Sequence, residues 1–415
     1  MARISPRVFR LVLVVSCAHA LVHVFELSLP AVEQLVAQDF GVGRDVSGWL
    51  GTTWRLPFGG AALLAGWLAD RFGSVRLLLL YLLGCSLTAL SLLWLRGLPA
   101  VFVLMFLMGM FASIYHPAGL AFISRATGPR ERPVALGWHG IFGSAGIAGA
   151  PFLASAVFLT GSVSWRGYYA LLSIPAALVG LLLWLVTRGS AAAGETQATQ
   201  QPPGEEADGS RVSTESFAEH REDDAFHRGR FLCLVTGGAL SGFVYAAFMH
   251  FLPRYLDAAG LRPAHIDAAG FRNALAALVL ICGAVGQGIA GRWADPQRLP
   301  RQLTLVFLAN VPFLVWMAFA EGVWRLVAPC LLALVHFMNQ PLYNSLIARF
   351  VPAARRSTGY GFSNMVCFGI GALGPAFAGA FSSDRWVYGG LAVVAGLAAA
   401  VVSAVTLPRS VDAAV

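Results

Sequence analysis

Twelve stretches of this chain run for about 20 residues each with almost no charge, and that pattern leaves few folds open. A helix of that length matches the hydrocarbon thickness of a bilayer, where every backbone polar group must be satisfied within the segment. The first six stretches are 11–36, 46–69, 75–95, 99–124, 133–158 and 166–187. The second six are 230–256, 267–291, 301–320, 324–349, 357–381 and 386–407. Only 12% of the 415 residues are charged, against roughly 25% in a soluble chain. Too little charge remains to cover a water-facing surface of this size. The expectation is an all-α membrane protein with twelve transmembrane helices.

The net charge is +8, and all 29 basic residues are arginine. They are scattered over short connections rather than gathered in a patch, so nucleic acid is not an expected partner; the arginines report topology instead. With the N-terminus in the cytoplasm, that side holds 20 arginines and the other about 8, with Arg55 inside a span. The expected location is the bacterial inner membrane, multi-pass, with both termini cytoplasmic. The N-terminal Arg3, Arg7 and Arg10 before an apolar run mimic a leader, but no convincing small-residue cleavage site follows. The run is read as the first helix. Cys17, Cys85, Cys233, Cys282, Cys330 and Cys367 all fall in spans without a CxxC pair, and read as free, buried, small hydrophobes.

Residues 188–229 differ in kind. They hold Glu195, Glu205, Glu206, Asp208, Glu215, Glu219, Glu222, Asp223 and Asp224, together with the Gln-Pro-Pro-Gly run at 201–204. Such a segment cannot bury enough apolar surface to fold and reads as a disordered acidic cytoplasmic linker. It separates an N-terminal six-helix bundle (1–187) from a C-terminal one (230–415). The two halves repeat. A shift of 224 residues sets Pro117 on Pro341, Arg125 on Arg349, Gly137 on Gly361 and Pro151 on Pro375. A shift of 225 sets Asp70 on Asp295. Two pseudo-symmetric bundles of this kind place a solute path between them, near the bilayer midplane.

The stretch Gly66-Trp-Leu-Ala-Asp70-Arg71-Phe-Gly73-Ser-Val-Arg76 resembles the signature loop of the major facilitator superfamily of transporters. The resemblance implies a conformational latch in which Asp70 and Arg71 hold the cytoplasmic side, with Gly66, Gly73 and Arg76 shaping the loop and Asp295 in the degenerate second copy. Ser74 and Val75 depart from the pattern, where a basic residue is common. Two further stretches, Ala18-His19 through Leu29-Pro30 and Tyr115-His116-Pro117-Ala118-Gly119, resemble the fosmidomycin-resistance group of efflux carriers. Glycines crowd the fifth span (Gly137, Gly140, Gly143, Gly146, Gly149) and the eleventh (Gly369, Gly371, Gly374, Gly379). Close helix packing is their plainer role; a Gly-Pro motif resembling that of proton-coupled antiporters is the sharper one.

An ionisable residue inside a span costs about 2.5–3.5 kcal/mol to insert, so it is a functional candidate. His19, His23 and Glu26 are spaced i, i+4 and i+7 and share one face of the first helix. Depth counted along the helices puts Glu26 level with Arg55 on the second, so the two are expected to pair. One role for the pair is structural. The other is a proton-coupled switch in which protonated Glu26 releases Arg55. His116, His139 and His336 add imidazoles, and Tyr115, Tyr245, Asn339, Gln340 and Asn364 add hydrogen-bonding groups. Each histidine alone fits a satisfied helix-to-helix bond; together they suit a path for protons or for an anionic group. His19, His23 and Glu26 could instead hold a divalent metal or a metal chelate.

The expected function is therefore a secondary active transporter that moves a small solute by alternating access, with proton-coupled efflux. The alternatives are metal or metal-chelate transport, or proton-coupled uptake of an organic anion. Expected partners are the small-molecule substrate, protons and membrane lipids, with the chain acting as a monomer and without a cofactor. An enzyme is not expected, since there is no HExxH, GxSxG or Walker loop.

Overall fold

The computed structural model describes residues 6–128, 131–188, 227–352 and 355–405. The linker at 188–229 thus falls almost wholly outside the described residues, as do both extreme termini. Among the described residues the structure is helical. The N-terminal half contains α1 (Pro6–Phe40), α2 (Arg44–Gly60), α3 (Ala62–Phe72), α4 (Ser74–Ser91), α5 (Leu98–Ser113), α6 (Tyr115–Ala126), α7 (Arg132–Phe158) and α8 (Trp165–Arg188). The C-terminal half contains α9 (Arg228–Asp257), α10 (Ala268–Trp293), α11 (Leu299–Phe319), α12 (Trp324–His336), α13 (Asn339–Phe350), α14 (Arg356–Gly371), α15 (Gly374–Gly379) and α16 (Asp384–Ser403).

Among the described residues, eleven stretches are long and apolar enough to cross a membrane. The twelfth crossing is shared by α2 and α3, which meet at Ala61 and are each too short alone. The break follows Pro57 and the Gly59-Gly60 pair, the combination that kinks helices. An even number of crossings returns Val405 to the same face of the bundle as Pro6. That face is called terminal below, and the opposite one distal.

The internal repeat is visible in where helices break. The fourth crossing divides between α5 and α6 at Ile114, and the tenth between α12 and α13 at Phe337 and Met338. Pro117 and Pro341 follow at equivalent positions. Neither can donate to the carbonyl four residues earlier, at Ser113 and Phe337, so each helix loosens at the same place. The fifth and eleventh crossings differ. α7 runs through Pro151 unbroken, whereas α14 and α15 separate at Ala372 and Leu373.

Within the N-terminal half, α1 packs on α7, α2 on α5, and α4 on α8; within the C-terminal half, α9 packs on α14, α10 on α12, and α11 on α16. Between halves, α7 meets α10, α1 meets α9, and α2 meets α14 and α15. Small residues set these approaches. A Cβ at Gly48 would lie 2.5 Å from the Pro375 carbonyl, and one at Gly59 would lie 2.7 Å from the Gly369 nitrogen. The glycine runs divide by direction. Gly143 and Gly146 lie against α1, while Gly137, Gly140 and Gly149 border open space. Gly371 and Gly374 lie against α9, whereas Gly369 has nothing in front of it. All six cysteines are free, but only Cys85 is fully buried and the other five are half-buried. Large exposed side chains such as Trp67, Phe152, Phe319 and Trp386 cover the bundle's outside, as expected of a surface bathed in acyl chains.

Candidate functional site

The titratable stripe of α1 faces protein. His19 is 8% exposed and Glu26 3%, and their neighbours come from α2, α6 and α7. Arg55 on α2 donates through Nη1 to Glu26 Oε1 at 2.9 Å, with both side chains buried. His23 Nδ1 donates to the other carboxylate oxygen, Oε2, at 2.9 Å. Glu26 therefore divides its two oxygens between a cation of the next helix and an imidazole of its own. Arg55 lies over the ring of Tyr245 on α9, at 5.6 Å from the centroid, so the pair touches the second half.

One and two turns toward the terminal face, four imidazoles gather. His19 stacks on His139 of α7 at 4.0 Å and on Tyr115 at 5.1 Å. His19 Nδ1 donates to the His139 carbonyl at 2.8 Å. Gly143, one turn beyond His139, supplies the room, because a Cβ there would strike the His19 ring. His116 stands edge-on to His19 at 5.4 Å and lies 5.6 Å from His23. Tyr115 donates to the Val15 carbonyl at 2.8 Å and lies 3.3 Å from His139 Nδ1. The break at Ile114 turns Tyr115 and His116 toward this cluster.

The remaining candidates of the C-terminal half do not join the cluster. His336 bonds Asn310 Oδ1 at 3.2 Å and stacks parallel to Tyr245 at 6.1 Å. Asn339 donates to Ser241 at 3.2 Å. Gln340 accepts from Gln287, whose carbonyl oxygen accepts from Ser144 of α7 at 3.0 Å, so this chain of neutral groups joins the halves. Asn364 is half-buried on α14. A cavity of about 10 Å³ lies between the halves, lined by Arg55, Phe58, Tyr245, Phe368 and Gly371. That is room for about one water, so the halves are drawn together over the midplane.

The distal end holds a set of charges that the sequence reasoning passed over. Glu33, 2% exposed, accepts from Arg254 Nε and Nη2 of α9 at 2.8 Å each, and also from Ser47. Gln34 donates to Asp257 at 3.1 Å, and Arg44 of α2 bonds Asp384 at 3.2 Å. Arg325 shares that carboxylate at 2.9 Å. His250 bonds the Ser47 carbonyl at 3.0 Å, and Asn273 the Ala31 carbonyl at 3.0 Å. Ion pairs between halves thus close the distal end. The available signal was position: Glu33 is seven residues beyond Glu26 and on the same face of α1.

In the signature loop, Gly73 has φ +88°, a conformation that favours glycine, and links α3 to α4. Gly66 packs toward Pro117, where a Cβ would sit 3.5 Å away. Asp70 pairs with Arg125 of α6 at 3.8 Å, in the open and inside one half. Arg71 lies over Trp67 at 5.4 Å, and Arg76 is exposed. Asp295 pairs with Arg298 at 3.4 Å.

Two related six-helix halves, closed over a polar seam and tied at one end by breakable ion pairs, define a multi-pass membrane carrier. The chain belongs to the Major Facilitator Superfamily, whose family model matches residues 15–375. It is a transporter rather than an enzyme. Its fold is similar to that of a D-xylose–proton symporter, with TM-score 0.76 and 13% identity over 96% of this chain and 98% of that one. It is similar to a peptide transporter solved with alafosfalin, with TM-score 0.71 and 15% identity over 96% and 93% of the two chains. It is also similar to a bacterial homologue of the human lysosomal transporter Spinster, with TM-score 0.67 and 16% identity over 97% and 95%. In sequence, 164 residues are 32% identical to a puromycin resistance protein of Streptomyces alboniger. That match spans 38% of this chain and 30% of the relative.

Proposed function

We propose that this chain is a proton-coupled exporter of a small amphipathic solute, working as a monomer in the bacterial inner membrane with both termini cytoplasmic. The terminal face is then cytoplasmic, in keeping with its excess of arginine. The observation that carries the coupling is Glu33: a buried carboxylate held by Arg254 of the opposite half, at the end that opens outward. A proton on Glu33 removes the charge that grips Arg254, so protonation weakens the distal closure. The groups facing Glu33 are Ser47 from α2, Arg254 and His250 from α9, and Arg272 from α10. Glu26 and Arg55 stay within one half and keep a charged surface against Tyr245. The path for solute and protons then runs down α1 past Glu26, His23 and His19, with Tyr115, His116, His139 and Tyr245 around it. His336, Asn339, Gln340 and Asn364 support its other wall. The exposed Asp70–Arg125 pair, with Arg71 and Asp295, serves the terminal face as that end closes.

Export follows the similarity to a puromycin resistance protein, and puromycin is the first probe. In proteoliposomes with an imposed pH gradient, wild type should accumulate puromycin only while the gradient lasts. Glu33→Gln should lose gradient-driven accumulation and keep counterflow, because exchange needs no proton. Full gradient-driven accumulation by Glu33→Gln would remove this residue from the coupling.

A further inference from the structure

The alternative metal-ligand set offered by the sequence is His19, His23 and Glu26, whereas the nitrogens that converge are those of His19, His23 and His116. One ring nitrogen of each lies within 4.8 Å of the others. Glu26 is not free to ligate, because Arg55 occupies Oε1 and His23 occupies Oε2. That occupation is what prepares the imidazoles. His23 gives its Nδ1 proton to a carboxylate and His19 gives its own to a backbone carbonyl, which leaves Nε2 of each ring as a lone-pair donor. This carboxylate–histidine arrangement fixes the tautomer and raises ligand basicity in metal sites. On the third ring, His116 Nε2 is buried without a hydrogen-bond partner among the described residues.

Three points no more than 4.8 Å apart share a centre at most about 2.8 Å from each (4.8 divided by √3), against about 2.0–2.1 Å for a zinc–nitrogen bond. A shift below 1 Å per ring, within side-chain torsion, closes that gap. The charges behind the rings also cancel, since Glu26 and Arg55 form a neutral pair. His23 is 12% exposed, so the site can be reached.

We infer that His19, His23 and His116 form a binding site for a divalent transition-metal ion, with a fourth position left open for water or for a small chelator that arrives with it. Nitrogen donors alone select zinc, cobalt, nickel or copper and leave magnesium and calcium unbound. The inference uses the proposed transport reading only for access to the site; binding is measured with no gradient, so the two fail separately.

The test uses purified full-length protein in detergent. ZnCl₂ should raise the unfolding temperature, and CoCl₂ should give visible d–d bands of a low-coordinate site; MgCl₂ and CaCl₂ should do neither. A second arm adds zinc with free histidine. A shift with ZnCl₂ alone assigns the bare ion, and a shift only with histidine present assigns the complex. His116→Ala and His23→Ala should abolish both signals, while His336→Ala, in the other half, keeps them. Where an alanine variant does not fold, His116→Gln replaces it. No zinc or cobalt signal in either arm overturns the site, as does an equal signal in His116→Ala or His116→Gln.

Discussion

The two halves build opposite kinds of wall from the same helical plan. The 224-residue shift that sets Pro117 on Pro341 also sets His116 on Gln340 and His139 on Ser363. In the N-terminal half these positions carry imidazoles beside a buried Glu26–Arg55 pair. In the C-terminal half they carry neutral groups bonded mainly to one another, such as Tyr343 with Ser363 and His336 with Asn310. The backbone break beneath both is the same. The duplicated scaffold is thus kept for shape, while at the midplane the charge is concentrated on one side of the seam. At that depth a fixed charged wall and a neutral one let the halves separate without parting an ion pair, unlike the ties at the distal end.

The sharpest way to break that contrast is to remove one member of each wall's central pair. Glu26→Ala strands the Arg55 guanidinium in a buried site and should cost about 3–5 kcal/mol, read as unfolding in detergent. Asn310→Ala removes only a neutral partner of His336 and should cost about 1–3 kcal/mol. Equal losses would erase the distinction. A steric control should show no contrast at all. Gly109 packs against the Trp54 carbonyl and Gly286 against the Leu334 carbonyl, so Gly109→Ala and Gly286→Ala should each lose about 1–3 kcal/mol by overpacking.

A third prediction concerns the two ends of the molecule. Spin labels placed across the distal rim should show a larger open population in Glu33→Gln than in wild type, because the amide cannot hold Arg254 as an ion pair. Labels near Ser144 and Gln287, where neutral groups join the halves, should change less. The smallest effect is expected at the signature loop. Asp70 is 77% exposed and 3.8 Å from Arg125, so Asp70→Asn should change stability by no more than about 0.5 kcal/mol and act on turnover instead.

Much of this was legible before any coordinates. Hydropathy alone marks twelve crossings, and depth counting along two neighbouring helices places Glu26 beside Arg55, because helical rise is constant. The convergence of His116 and His139 on His19 was not legible. It depends on the rotation of α6 after the break at Ile114 and on the room Gly143 leaves, and neither follows from spacing within one helix. The grouping of His116 with His19 and His23 was hidden for the same reason. Glu26 shares a face with His19 and His23, but its charge is consumed by Arg55, and only the packed structure brings His116 across. Glu33 lies inside the expected span 11–36 and one further heptad along the same face, but depth counting stops at Glu26, and its partner Arg254 comes from the other half, which no spacing within α1 reveals.

The distal closure has a property beyond its strength. Glu33 of one half holds Arg254 of the other, and Arg44 of the first holds Asp384 of the second. The polarity of the two ties is reversed, so each half contributes one acid and one base to the closed rim. With Glu33 protonated, the N-terminal lip keeps the Arg44 cation alone, and the C-terminal lip carries Arg254 and Arg325 against Asp384. The open mouth then holds a net positive charge at these positions, which draws anions toward it and leaves finer sorting to the interior.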